Sequence, residues 1–152
     1  MLIGTLLADG RANNIATDDI CIRADFPFPP RKLGLAYFEI SIQKPESTAE
    51  PSNSKPLEPT VSIGFSGEFS NQLWAHVGWN IWSAGYHGDD GKFFEHGKPA
   101  YPTNRGYGIG NTVGFGIDYD SNKYFSTLDG AVVCRAPHPL PLPPLLLFEI
   151  LS

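Results

Sequence analysis

Imidazole and carboxylate groups occur together in the segment His87-Gly-Asp89-Asp90. Such groups bind metal ions and act as general acids or bases, so with His76 or His96 they could serve a metal-dependent hydrolase. The alternative is a structural turn, in which Asp side chains accept hydrogen bonds from backbone N–H groups and glycines adopt unusual dihedral angles. We favour the turn, because Gly88 and Gly91 flank the acidic pair.

Three tryptophans precede this segment. Trp74, Trp79 and Trp82 lie within a stretch of nine residues. Large, rigid aromatic side chains anchor protein interfaces, and in a lectin-like protein they would stack on a sugar ring. Alternatively, one or two of them close the end of the fold as part of its core. The sequence leaves these three roles open, and we expect at least one tryptophan to be buried.

Other catalytic signatures are missing from the sequence. No Gly-x-Ser-x-Gly motif occurs, and neither Cys21 nor Cys134 lies in a recognisable nucleophile motif. The cysteines form no CxxC pair, so we expect two reduced thiols and no zinc site built on cysteine. Glycines at 106, 108 and 110 are not followed by Lys-Ser/Thr, which argues against a phosphate-binding loop. We therefore predict no enzyme activity and no cofactor.

Charge limits the class of partner. The formal net charge is −5, and the 11 basic residues are scattered along the chain. Because nucleic-acid binding needs a basic stripe, we expect no nucleic-acid partner and no binding to anionic membranes. The apolar run 2–8 lacks a preceding basic residue, and 145–150 is too short to span a bilayer. The expected location is the cytoplasm or the nucleus.

Alternating apolar and polar side chains indicate short strands. Phe38, Ile40 and Ile42 share one face of a predicted strand, opposite Glu39 and Ser41. The predicted strands cover 20–22, 37–42, 61–65, 112–119 and 123–128. No window longer than ten residues has helical periodicity, so the sequence predicts an all-β, two-sheet antiparallel sandwich.

Glycines and turn residues refine this picture. Gly114 and Gly116 leave one face of the strand 112–119 with little bulk, so another backbone is expected to approach it closely. Asp129-Gly130 is a strong signal for a hairpin turn.

The chain divides into segments of different composition. We predict an N-terminal lead-in at 1–17, a domain at 18–136 and a proline-rich, atypical tail at 137–152. A segment at 43–60, rich in Pro, Ser and Glu, is expected to be a flexible insertion. The region 66–111 mixes glycines, aromatic and polar residues without periodicity, and we expect a long, structured loop region there.

Six motifs occur in a characteristic order. They are IRADFP at 22–27, YFEI at 37–40, VSIGFS at 61–66, GYHGDDG at 85–91, GNTVGFGID at 110–118 and YFSTLDG at 124–130. Together they resemble a SPRY domain of the type found in Ran-binding protein M and related scaffold subunits of CTLH ubiquitin ligases. The resemblance runs from about Asp18 to Gly130, and GYHGDDG is its most specific part. It implies a concanavalin-like sandwich whose loops bind a peptide or a folded protein, without catalysis or cofactor.

The chain also departs from the family pattern. Ala84 stands where the family has Trp, and Asn111 stands where it has Asp. The family continues after the Asp-Gly turn with further strands, whereas a proline-rich segment follows Gly130 here. Two alternatives remain at this point: the sandwich lacks its last strands, or Leu145–Ile150 takes the place of one of them.

The sequence predicts a binding surface formed by loop residues. We expect a non-catalytic protein-interaction module, acting as an adaptor or scaffold in a ubiquitin-ligase-type complex. The predicted partner-binding residues are Trp74, Trp79, Tyr86, His87, Asp89, Asp90, Arg105 and Tyr107. The acidic pair favours a partner segment with Lys or Arg. A lectin-like sandwich and a metal-dependent hydrolase are the alternatives.

Overall fold

The computed structural model describes residues 20–23, 34–44, 60–67, 76–103, 105–136 and 144–151. These segments contain ten strands: β1 (Ile20–Arg23), β2 (Leu35–Ser41), β3 (Thr60–Gly67), β4 (Ser83–His87), β5 (Lys92–Glu95), β6 (Lys98–Pro102), β7 (Thr112–Asp118), β8 (Lys123–Leu128), β9 (Ala131–Ala136) and β10 (Pro144–Leu151). The described part of the chain contains no helix, and therefore none that could cross a membrane.

The strands form two antiparallel sheets. The larger sheet has the order β1-β10-β3-β4-β5-β6, and the smaller has the order β2-β7-β8-β9. Every pair of neighbouring strands is antiparallel. The predicted all-β, two-sheet sandwich is confirmed.

Period-2 alternation places the core between the sheets. Phe65 of β3 meets Phe115 of β7 edge to face, with ring centroids 4.7 Å apart, and Phe93 of β5 stacks on Phe115 at 5.5 Å. All three rings are fully buried. Phe38 and Ile40 pack against the same core. The alternation predicted for β2, β3 and β7 is confirmed.

Glycines on the outer face of β7 make room mainly for side chains. A Cβ atom at Gly114 would lie 2.2 Å from the Tyr37 hydroxyl, and one at Gly116 would lie 2.4 Å from Cζ of Phe125. The rings of Tyr37 and Phe125 stack at 5.7 Å over this strand. The close approach was predicted for a backbone, but two aromatic rings occupy most of the space.

Strand β10 settles the two alternatives for the end of the chain. Pro144–Leu151 pairs with β3 along its whole length and with β1 on its other side. Leu145–Ile150 therefore takes a strand position, and the larger sheet includes part of the segment predicted as a proline-rich tail. Pro144 is the first residue of the strand, where a missing N–H costs little.

The region 66–111 was predicted to be a long loop, but it contains β4, β5 and β6. In β4, Ala84 and Tyr86 belong to the core, while Ser83, Gly85 and His87 on the other face are also buried. Residues 76–82, called the 76–82 loop below, lie against the outer face of β4.

Other predicted segments are only partly within the described residues. Gln43 and Lys44 follow β2 and Thr60 begins β3, while 45–59 of the insertion, the lead-in 1–17 and residues 137–143 lie outside them. Asp129 and Gly130 both have positive φ, 50° and 78°, which confirms the predicted hairpin turn. Cys134 is a buried, free cysteine.

Candidate functional site

Three connections meet at one end of the sandwich, which we call the loop end: residues 88–91, 105–111 and 129–130. The Tyr107 N–H donates to the Gly88 carbonyl at 2.9 Å, which joins the first two. The Asn111 amide donates to Asp129 Oδ2 at 2.9 Å, and Asp129 Oδ1 accepts the Thr112 N–H at 2.9 Å, which joins the second to the third. These bonds fix the relative positions of the three connections.

The acidic segment forms a turn, as the sequence favoured. Asp90 Oδ1 accepts the backbone N–H of Lys92 at 3.0 Å, and Asp90 Oδ2 pairs with Lys92 Nζ at 2.9 Å. Partial burial opposes ionisation of Asp90, but the hydrogen bonds from Lys92 outweigh it and lower its pKa. Gly91 has φ of 64°, a conformation that L side chains rarely adopt. Asp89 and Asp90 are both exposed.

Two predicted binding residues, Tyr86 and Tyr107, are core residues. Tyr86 is fully buried and Tyr107 nearly so. The Tyr86 hydroxyl donates to the Arg105 carbonyl, and the Tyr107 hydroxyl donates to the Tyr86 carbonyl at 2.6 Å. Burial raises the pKa of both phenols. Both residues were predicted to contact a partner; in the structure their hydroxyl groups fasten residues 105–107 to β4 inside the fold and leave little ring surface exposed.

His87 is also buried, with 2% of its surface exposed. Its Nε2 lies 2.8 Å from the Val77 carbonyl. Because a carbonyl oxygen only accepts, Nε2 carries the proton. Burial lowers the pKa of His87, so its ring is neutral at pH 7. His87 was predicted to contact a partner; in the structure its ring is enclosed and holds the 76–82 loop on the sheet.

The 76–82 loop is fixed at several points. The Gly78 N–H donates to Ser83 Oγ at 2.7 Å, and the Gly97 N–H donates to the Gly78 carbonyl at 2.9 Å. His96 Nδ1 donates to the Ile81 carbonyl at 2.5 Å. The 76–82 loop can approach β4 closely because Gly85 has no side chain. A Cβ atom at Gly85 would lie 2.2 Å from the Val77 carbonyl oxygen.

Trp79 lies on this loop with 50% of its surface exposed. The inner side of its ring packs on His76, with centroids 4.3 Å apart, and on Phe94 at 6.2 Å. The indole is therefore held in place while half of it faces solvent. Trp82 is half-buried, and Trp74 lies outside the described residues.

The predicted surface residues thus separate into groups. Trp79, Asp89, Asp90 and Arg105 are exposed; Tyr86, His87 and Tyr107 are buried; Trp74 is not described. Sequence reasoning missed two exposed apolar residues, Ile81 at 63% and Ile109 at 42%. Ile109 stands between two glycines and Ile81 follows an asparagine, and an isolated apolar residue in a polar or glycine-rich loop was the available signal.

The structure brings together only some of the residues of the metal site that the sequence suggested. Ligand atoms of His87, Asp89 and Asp90 lie within 4.8 Å of one another. However, His87 Nε2 is bonded to a backbone carbonyl, and Asp90 is paired with Lys92. His96 lies beyond the other end of β5 and bonds to Ile81, so it does not join the group. The geometry fits a structural turn better than the site of a hydrolase.

Comparison with known proteins identifies the fold. No family model matches the chain. The Ran-binding protein M homolog of Arabidopsis thaliana is 30% identical over 116 residues, which make up 76% of this chain. Human Ran-binding protein 9 is 31% identical over 115 residues, 74% of this chain. A solved structure described as a human SPRY domain matches with a TM-score of 0.69 and 23% identity, covering 91% of this chain and 81% of that one.

The chain has the fold of a SPRY domain. Its predicted resemblance to Ran-binding protein M is confirmed by the similarity to Ran-binding proteins over about three quarters of its length. SPRY domains are a family of protein-interaction modules. The chain spans only 22% of the Arabidopsis relative and 14% of the human one. The SPRY fold thus accounts for the two sheets and the loop end, while the activities of those longer proteins are a separate question.

Proposed function

We propose that this chain is a non-catalytic protein-interaction module that binds a peptide or folded partner with the loop end and the neighbouring Trp79. The exposure of Trp79 carries this proposal. A tryptophan that is half exposed yet held by ring contacts on its inner side has the character of an interface anchor. Exposed Asp89 and Arg105 add charged groups at the loop end.

The rigidity of the surface supports binding. The 76–82 loop is tied to β4 and to the turn after β5, and residues 105–111 are tied to the acidic turn. Ordering a loop on binding costs conformational entropy, and a loop already fixed by the fold avoids much of that cost.

A variant series tests this function. Purified tagged chain and its Trp79→Ala and Asp89→Asn variants are used to isolate cellular proteins, which are quantified by mass spectrometry. Val132→Ala serves as the control, because Val132 is equally exposed at 49% but lies on β9. We expect a set of proteins that Trp79→Ala loses and Val132→Ala retains. Identical sets for all folded variants would refute this surface.

We further propose that the module is an adaptor in a ubiquitin-ligase-type complex of the cytoplasm or nucleus. The support is similarity to Ran-binding protein M homologues, since a fold by itself does not fix a function. The experiment is to fuse the chain to a ligase scaffold and measure ubiquitination of a captured protein. Transfer that is equal for the wild type and Trp79→Ala would contradict an adaptor role of this surface.

A further inference from the structure

We propose that the partner segment carries a Lys or Arg whose cation lies between the Trp79 indole and the Asp89–Asp90 pair. This inference rests on the proposed function and specifies the chemistry of its ligand. The face of an indole attracts cations through its quadrupole, and carboxylates attract them through charge. A site that offers both groups selects a basic side chain over neutral or acidic ones.

A single buried imidazole connects the two halves of this site. The Trp79 ring centroid lies 5.8 Å from that of His87, with the planes inclined at 39°. On the same imidazole, a ring nitrogen lies within 4.8 Å of carboxylate oxygens of both Asp89 and Asp90. The indole and the carboxylates therefore both border the same imidazole ring.

The charges around the site leave it available to an incoming cation. Lys92 pairs with Asp90, whereas the Asp89 carboxylate has no hydrogen bond or ion pair with any residue that the structure describes. His87 contributes no positive charge at pH 7, because burial lowers its pKa. The net charge of the chain is −5, which favours the approach of a basic segment.

Selection from a random library of 12-residue peptides displayed on phage tests the inference. The wild-type chain is the bait, and the affinities of selected peptides are measured by fluorescence anisotropy. We expect enrichment of peptides with Lys or Arg. Replacing that residue by norleucine, which keeps the aliphatic stem and removes the charge, should weaken binding about tenfold, as loss of a close interfacial charge pair does.

Matched variants locate the cation. Asp89→Asn should weaken the basic peptide about tenfold but leave the norleucine peptide unchanged, and Trp79→Ala should weaken the basic peptide roughly 30-fold. Asp120→Asn, an exposed carboxylate in the β7–β8 turn, should have no effect. Raising the salt concentration should weaken binding to the wild type more than to Asp89→Asn, because salt screens exposed charges.

The outcomes separate this inference from the proposed function. Selected peptides without basic residues that still require Trp79 would overturn the inference and leave the function standing. Basic peptides that bind equally to the wild type, Trp79→Ala and Asp89→Asn would place the cation elsewhere and also overturn it. Failure of the folded chain to select any peptide would overturn the inference, whereas the proposed function would fall only if cellular proteins also bound the wild type and Trp79→Ala equally. Circular dichroism of each variant establishes that it is folded.

Discussion

Gly85→Ala should detach the 76–82 loop from the sheet while leaving the two-sheet core in place. Gly85 lies in β4, and its added Cβ would lie 2.2 Å from the Val77 carbonyl oxygen and 2.7 Å from the carbonyl carbon. Such atoms are essentially never closer than 3.0 Å, so the Val77 carbonyl must move by about 0.8 Å or more. That carbonyl accepts the hydrogen bond from His87, on which Trp79 is packed.

The magnitude follows from two contributions. Overpacking at a well-filled position costs about 1–3 kcal/mol. Weakening the buried hydrogen bond between His87 and Val77 adds about 1 kcal/mol. We expect the free energy of unfolding to fall by roughly 2–4 kcal/mol, which corresponds to a decrease in Tm of about 5–15 °C for a chain of this size.

Urea denaturation followed by circular dichroism measures this change. Near-UV circular dichroism and tryptophan fluorescence report the displacement of Trp79, and partner binding should fall as strongly as in Trp79→Ala. Gly108→Ala is the matched control, because no atom lies within 4 Å of its added Cβ. It should be neutral or stabilise slightly. A Gly85→Ala protein with unchanged stability and tryptophan spectra would refute the packing argument.

Three further predictions concern buried groups. Tyr107→Phe removes the hydroxyl that donates to the Tyr86 carbonyl, and it should lower the free energy of unfolding by about 1–3 kcal/mol. An unchanged midpoint in urea titrations would contradict a stabilising role of this hydrogen bond. The pKa of His87 is lowered in the folded state, so the unfolded chain binds more protons below about pH 6.5, and stability should fall from pH 7.5 to 5.5. The stability difference between the wild type and His87→Gln should shrink over that range, and parallel profiles would contradict the burial argument. Burial raises the pKa of Cys134 to about 11, so at pH 8 the folded protein holds it as the unreactive thiol. In a Cys21→Ser protein, a disulfide reagent at pH 8 should therefore modify Cys134 only as fast as the chain unfolds.

Local pattern predicted five of the ten strands that the structure describes and little of the binding surface. Alternation identified β2 and β7 because the core face of each strand carries apolar side chains, while the other face carries mainly polar residues or glycines. It did not identify β4, because a strand of only five residues, two of them the small Ala84 and Gly85, is too short to establish a period. For Leu145–Ile150 the sequence permits two alternatives, because a run of leucines after prolines does not specify which strands lie beside it.

The sequence by itself determined the fold class, the turns at Gly91 and Asp129-Gly130, and the resemblance to SPRY domains. These features depend on residue types that act locally: glycines that permit positive φ, and apolar residues at period 2. Only the tertiary structure decided which aromatic and charged residues face solvent. Tyr86, His87 and Trp79 lie within eight residues of one another in the chain, yet two are enclosed and one is half exposed. Their burial depends on contacts with the 76–82 loop and with residues 105–107, and such contacts between distant segments leave no periodic trace in the sequence.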